Sequence, residues 1–489
     1  MSRLVRVERL LAVYALKPLE RRRRLHVRAF VAGAKSPVPS GAVAPGARTF
    51  LSPAGEQPGM SDSQVVVVGG GVAGLTAARH LAADGFDVTL FERNEDVGGR
   101  VRSRRGDGYI FDRGFQVLFT AYPAARRELD FGALDLRAFS AGATICRGDQ
   151  RSVLADPLRE PGALTQTLFN AEISTMDKLR TLRLRADLRA KSVEEIFAEP
   201  DATIEQHLYT YGFSERYVER FVRPFYGGIT LDRDLDTSKR VFEFTFKMLS
   251  EGKTVVPAGG MGELSDQLAD RAITQDARIV TETPVEGIAP GDAAVDVQIP
   301  GETVDADAVV VAADPKSSRD LTGVDAIPTD GRGCVTQYFA VPSGHPLANS
   351  DRIHLNAGGE VPTTVAPLSG VAPEYAPDDR ALVAATTVGH EDAGDDVRIE
   401  SDGDLETQTR DILSAWYPAA SLGDFELLRT DRLPFAQFAQ PPGVHEGLPD
   451  ARAPDGAVYL AGDYTHDASI NGALESGRAA ADAVSEDLQ

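Results

Sequence analysis

Four consecutive valines, Val65 to Val68, run straight into three glycines, Gly69 to Gly71. Such an unbroken apolar run suits a strand buried on both faces, which is a parallel-sheet signal. Leu75, Ala78, Leu81 and Ala82 then recur at helical spacing until Gly85, and Val88 to Phe91 read as a second strand. Between strand and helix, Gly69, Gly71 and Gly74 satisfy GxGxxG. The first glycine permits the tight turn, the second lets a pyrophosphate approach the backbone, and the third lets helix and sheet pack closely. Unpaired N–H groups and the positive dipole end of the helix complete an anion site. Glu92 closes the second strand 18 residues after Gly74, placed to accept hydrogen bonds from a ribose diol. That carboxylate would repel a 2′-phosphate, which argues against NADP. A glycine turn alone is weak evidence; strand, turn, helix, strand and acid in order specify a dinucleotide.

The acid leads directly into Arg93-Asn94-Glu95-Asp96-Val97-Gly98-Gly99-Arg100. A glycine pair lets the chain pass close over a cofactor, and Arg100 offers a rigid fork of donors. Here the sequence resembles the flavin amine oxidase and phytoene desaturase superfamily, nearest to phytoene-desaturase-like members. Phe111-Asp112-Arg113-Gly114 is similar to the next family element. At the other end, Tyr459-Leu460-Ala461-Gly462-Asp463 and Ser469-Ile470-Asn471-Gly472-Ala473 resemble the C-terminal FAD segment. Pro284 to Ile288 resembles the strand whose main chain touches adenine. The resemblance spans about residues 64–488, specific in these segments and loose between them. It implies noncovalent FAD held by Gly69, Gly71, Val72, Gly74, Glu92, Arg93, Gly98, Gly99, Arg100, Gly114, Val285, Gly462, Asp463, Ile470 and Ala473. Asp463 would reach the ribityl and pyrophosphate region, and the helix near Gly472 would aim its N–H groups at the flavin. Covalent attachment would need a cysteine in the C-terminal segment, and there is none.

The implied fold is α/β: a discontinuous Rossmann-type FAD domain (62–118, 251–316, 452–489) with an inserted α+β substrate domain (119–250, 317–451). Residues from about 122 to 246 read as mainly helical and charged, with a basic amphipathic stretch from Lys178 to Lys191. Asp307 to Ala313 and Val458 to Ala461 read as apolar strands, Glu391 to Asp411 as an acid-rich surface connection, and 472–484 as a last helix.

Residues 1–59 carry 11 Lys+Arg against 3 Asp+Glu, whereas the remainder carries 40 against 70. This reversal at Met60 sets the leader outside the fold: either a start placed too far upstream or a flexible basic arm touching anionic lipid, disordered in both cases. Only 8 of the 51 basic residues are Lys. An acidic, lysine-poor surface suits a cytoplasm of high ionic strength, and it disfavours nucleic-acid binding. No apolar run approaches the roughly 18 residues that span a bilayer, which leaves peripheral membrane contact open. Cys146 and Cys334 lack metal or disulfide spacing and read as small buried apolar residues.

The family resemblance also bears on the reaction. Amine oxidases of this superfamily place a lysine near the flavin, and the corresponding stretch here, Gly333 to Phe339, has none. Their aromatic ring before the final Gly-Ala pair is replaced by Ser469. Arg220 to Ile229, then Phe242, Phe244 and Phe246, then Pro257 to Gly262 look most like desaturase members, with aromatics lining an apolar tunnel or simply forming core. The expectation is a dehydrogenase or desaturase of a lipophilic isoprenoid, passing hydride to the flavin, with the final electron acceptor unspecified and no side chain assigned a catalytic role. The alternatives are an amine or porphyrinogen oxidase and, more remotely, a flavin-binding protein without turnover.

Overall fold

The computed structural model describes residues 63–155, 173–291, 293–359, 361–389, 401–420 and 423–489. The basic leader lies outside the described residues, as do 391–400 of the acid-rich connection.

The valine run forms the strand Gln64–Val68, all but its first residue buried. It is the centre of a five-stranded sheet, flanked by Asp87–Phe91 and then Arg278–Val280 on one side, and by Ala308–Val311 and then Val458–Leu460 on the other. All four pairings are parallel. Three of these strands are short valine- or leucine-rich runs, as burial under helices on both faces requires. The Val72–Ala83 helix is nearly all buried and packs against Gly262–Thr274 and against the C-terminal helix, Ile470–Leu488. A β-carbon on Gly477 would lie 2.2 Å from the Ala73 carbonyl oxygen, so glycine is what lets those two backbones meet.

The second layer is a seven-stranded mixed sheet in the order 426–438, 331–342, 380–388, 364–367, 353–356, 142–147, 150–155. Beside it lies a helical lobe built from Thr175–Arg189, Val193–Ala198, Ile204–Tyr211, Arg223–Thr230 and Lys239–Glu251. The 122–246 region is thus helical from Thr175 onward, but between its first short helix, Pro123–Glu128, and that point it contains strands. Leu136–Ala138 joins a small sheet, and Gly142–Arg147 pairs in parallel with Ile353–Asn356, a partner more than 200 residues away. Another difference is the helix Asp402–Trp416 within the supposed surface connection. Leu405, Thr409, Leu413 and Trp416 are buried along one face of it, beneath its acidic exterior.

This is an α/β fold: a Rossmann-type sheet assembled from three distant parts of the chain, with an α+β insertion. Among the described residues, no helix is long and apolar enough to cross a membrane. Both cysteines are buried and free.

Candidate functional site

The glycine turn divides its duties. Gly69 has φ +104°, and a β-carbon there would lie 2.7 Å from the Ala312 carbonyl oxygen. A β-carbon on Gly74 would lie 2.0 Å from the Gly69 carbonyl oxygen. Both are fixed by the protein's own backbone. Around Gly71, however, nothing lies within 4 Å of that position. Gly71 is also the N-cap of the first helix and supplies no side-chain cap, leaving the first-turn N–H groups turned to an open cradle. Open space beside unpaired donors is what a pyrophosphate needs.

Glu92 is buried at the end of the second strand. Its Oε2 accepts from the Gly70 N–H at 2.8 Å and its Oε1 from the Asn94 N–H at 2.9 Å. The Asn94 side-chain amide also donates to Oε1, so the acid braces the turn and Oε2 is the oxygen with a lone pair left for a ribose diol. The Gly98 N–H donates to the Gly70 carbonyl at 2.7 Å, and Gly71 and Gly98 form an isolated parallel bridge, so the glycine pair lies across the turn. Gly98 and Gly99 both have positive φ. The chain after Arg278–Val280 runs along the Glu92 backbone, Thr283 N–H donating to the Glu92 carbonyl at 2.9 Å. This carries half-buried Val285 to the same edge. Arg93 is mostly exposed and reaches Asp314 at 3.2 Å.

Arg100 and Asp463 meet at 2.6 Å. Burial disfavours the guanidinium charge, yet Asp463 overrides this and holds Arg100 above its ordinary pKa. Arg100 also donates to the Ala436 carbonyl at 3.2 Å, linking the pair to the strand Glu426–Phe438. Gly462 is fixed by Tyr464, whose ring would lie 2.1 Å from a β-carbon there, and its N–H donates to Ser476 Oγ at 2.9 Å. Beyond it, Ser469 caps the C-terminal helix by accepting from the Gly472 N–H at 3.0 Å. Ile470 and Ala473 sit half-buried in that first turn. Gly114, at φ +77°, packs against Leu433 and faces Thr336 from the large sheet. Its neighbour Asp112 is a buried hub. It accepts from Ser103 Oγ at 2.6 Å, Met261 N–H at 2.8 Å and Tyr375 OH at 2.9 Å, and burial nonetheless pushes its pKa up to about 6.

Next to the capped helix end is a recess whose apolar wall comprises Tyr122, Phe197, Ile229, Val241 and Phe244. Thr230, Thr245, Gln437, Gln440, Asp467, Ala468 and Ser469 complete it. Of the aromatics read from the 220–246 stretch, Phe244 lies here. Tyr226 and Phe242 are instead in the buried core of the helical lobe, within a run of ring contacts through Tyr217, Phe221 and Phe225. The recess is also not free of ionisable groups, as Asp467 shows. Sequence reading missed Asp467, which lies between the two C-terminal stretches singled out, Tyr459 to Asp463 and the one that begins at Ser469. Tyr122 and Phe197 gave no signal, because only the packing of the lobe onto the sheet domain brings them there.

The residues fit FAD: an open cradle at a helix N-terminus, a ribose-edge acid, and a second helix N-terminus reached through an Arg–Asp bridge. A model of the family described as flavin containing amine oxidoreductase matches residues 72–485. A 4,4'-diapophytoene desaturase of Staphylococcus haemolyticus (strain JCSC1435) is 56% identical over 50 residues, 10% of each chain. Protoporphyrinogen oxidase 2, chloroplastic/mitochondrial, of Arabidopsis thaliana is 28% identical over 172 residues, 35% of this chain and 33% of that one. The matched segments thus span a third or less of either relative. Among solved structures, cyclohexylamine oxidase from Brevibacterium oxydans IH-35A superposes with a TM-score of 0.64 at 18% identity, over 88% of this chain and 100% of that one. That likeness is one of fold. The protein is an FAD-dependent oxidoreductase, and with a family match running from the first helix to the last, the chain belongs to the flavin containing amine oxidoreductases.

Proposed function

We propose that this enzyme dehydrogenates a lipophilic isoprenoid or polyene whose reacting carbons lie at the recess beside the C-terminal helix. The observation that carries this reading is the apolar wall of Tyr122, Phe197, Ile229, Val241 and Phe244, which faces the helix end expected at the flavin. An apolar wall excludes water and binds hydrocarbon through burial, about 25 cal/mol per Å² removed from water. Bound FAD supplies the two-electron acceptor. The protein's own residues hold the substrate in register and keep solvent from the reacting carbons. The chain contains no lysine after Lys316, so the large-sheet strand Gly331–Pro342 presents Thr336, not an amine, toward Gly114. The match to a diapophytoene desaturase supports the same substrate class.

A second reading, oxidation of an amine, is favoured by one observation: a carboxylate, Asp467, lies in the recess and would attract an ammonium ion.

The test is anaerobic. Holoprotein purified in high salt is mixed with phytoene in detergent, with an alkylamine or with a porphyrinogen, and the flavin absorbance is followed. Bleaching by phytoene alone is expected. Bleaching by the amine and not by phytoene would replace the first reading with the second, and bleaching by the porphyrinogen alone would exclude both.

A further inference from the structure

Among the buried carboxylates of the site, Asp467 and Asp112 both lack a Lys or Arg partner, but Asp112 is tied by three hydrogen bonds whereas Asp467 opens on the recess. Asp463 faces Arg100, Glu128 faces Arg79 at 2.5 Å, and Glu92 accepts two backbone N–H groups. Asp467 is only 9% exposed and lines the recess, yet no Lys or Arg lines that recess with it.

Its position is fixed from several sides. The Ser469 N–H donates to the Asp467 carbonyl at 2.7 Å, and the Ala468 N–H donates to Gln440 Oε1 at 3.1 Å. The carboxyl folds over the first turn of the C-terminal helix, where a β-carbon on Gly472 would lie 3.0 Å from its Cγ. The tighter contact there would be with the Asp467 carbonyl oxygen, at 2.2 Å, so glycine at 472 is what lets the Asp467 backbone lie against the helix turn. The Asp467 carboxyl, the Ser469 hydroxyl and the Tyr122 phenol lie together along the recess. The charged groups that act on it, Asp463 and Glu475, are both acidic, and the adjacent His466 is engaged with Thr465 Oγ1 at 3.0 Å. From the helix Lys239–Glu251 come only Val241, Phe244 and Thr245; from Val193–Ala198 comes Phe197; and Gln437 and Gln440 are neutral. Burial, reinforced by the two acids, pushes its pKa up to about 6, against the lowering effect of the neighbouring Ser469 hydroxyl. A buried carboxylate with no cation, in a cleft beside the cofactor, is an arrangement suited to moving protons.

We propose that Asp467 is the base of the dehydrogenation, a role that rests on the reading given above. Asp467 takes a proton from one substrate carbon as the neighbouring carbon gives up a hydride, for which FAD, when held by the glycine turn and the Arg100–Asp463 bridge, would be the acceptor. The electron pair of the C–H bond that loses its proton becomes the new C=C bond. The backbone contacts of Asp467 and Ala468 hold the carboxylate at the recess.

Wild type, Asp467→Asn and Asp467→Glu holoproteins are compared in anaerobic mixing with phytoene. Asp467→Asn is expected to keep its FAD spectrum and its phytoene affinity within about threefold, while bleaching slows about 10²–10⁴-fold. The wild-type rate should rise with pH to a plateau, with a midpoint near 6, and that titration should vanish in Asp467→Asn. Asp467→Glu should recover part of the rate with a displaced midpoint. A readout independent of turnover is infrared: the wild-type-minus-Asp467→Asn difference spectrum should hold a protonated-carboxyl component present at pH 5 and lost at pH 8, apart from the Asp112 band that both proteins share.

Unchanged bleaching or an unchanged pH midpoint in both variants overturns the proposal. So does a variant that bleaches normally with phytoene but no longer binds an alkylammonium ion, which would make Asp467 a counter-ion. If wild type itself is not bleached by phytoene, the dehydrogenation reading fails first and takes this role with it.

Discussion

The Arg100 guanidinium donates to the Asp463 carboxylate at 2.6 Å, joining segments 363 residues apart at the point where the two halves of the cofactor site meet. Asp463 is buried, and Arg100 is about one-third exposed at 34%. Removing the acid leaves a cation with its best partner gone. A fully buried pair broken this way costs about 3–5 kcal/mol, and the exposure of Arg100 reduces that to about 1–3 kcal/mol. Asp463→Asn should therefore lower the urea midpoint and weaken FAD retention together. Unfolding curves and FAD fluorescence on dilution measure both, and an unaltered FAD affinity would show that the bridge is structural only.

Gly71 and Gly74 lie in one turn, yet substitution should affect different properties. In Gly74→Ala the new carbon meets the Gly69 carbonyl at 2.0 Å, with nothing able to yield, so little folded protein is expected. Gly71 has φ −74°, open to any residue, and free space around the added methyl. Gly71→Ala should fold with a loss of about 1 kcal/mol or less, from the poorer N-cap. Its FAD affinity should fall about 100-fold or more, because the methyl occupies the approach of the pyrophosphate. Thermal unfolding of the apoprotein and FAD titration separate the two effects; equal FAD affinity in Gly71→Ala and wild type would sink the assignment of the cradle.

These contrasts explain what the sequence made legible. A strand buried on both faces is an apolar run and a close backbone approach demands glycine, so Val65 to Val68, the glycine turn and the last strand announce themselves locally. The strand Glu426–Phe438 does not: it carries Arg429 and Asp431 on one face and Arg432 on the other, and only pairing with Gly331–Pro342 makes it a strand. Likewise Gly142–Arg147 sits among charges and turns, and its parallel partner is Ile353–Asn356. The recess is harder still, since Tyr122, Phe197, Phe244 and Asp467 come from four separate parts of the chain. Their convergence is a property of the packing, with no periodicity or spacing to reveal it.

Cys146 and Cys334 are both buried, and burial pushes each thiol up to about 12. The thiolate is the reactive form, so at pH 8 neither should be alkylated while the protein is folded. Iodoacetamide followed by mass spectrometry should find no modification in native buffer and two modified thiols in guanidinium. Rapid labelling of either in the native state would contradict the burial seen here.

Asp112 should leave a signature in how stability depends on pH. Its carboxyl titrates near 3.9 in an unfolded chain and near 6 in the fold, where burial outweighs the Ser103, Met261 and Tyr375 hydrogen bonds. Above about pH 6 it is charged in both states, and confining that charge opposes folding. As pH falls from about 6 to about 4 the folded protein takes up a proton that the unfolded chain does not, so this group's contribution becomes more favourable. Below about 4 both states are protonated and the change stops. The full swing is about 3 kcal/mol at most. Asp112→Asn, neutral throughout, lacks it. The difference in unfolding free energy between wild type and Asp112→Asn should therefore shift in favour of wild type by up to about 3 kcal/mol between pH 7 and pH 4. Urea titrations across that range measure it, and a pH-independent difference would mean that Asp112 is already ionised within the fold at pH 4.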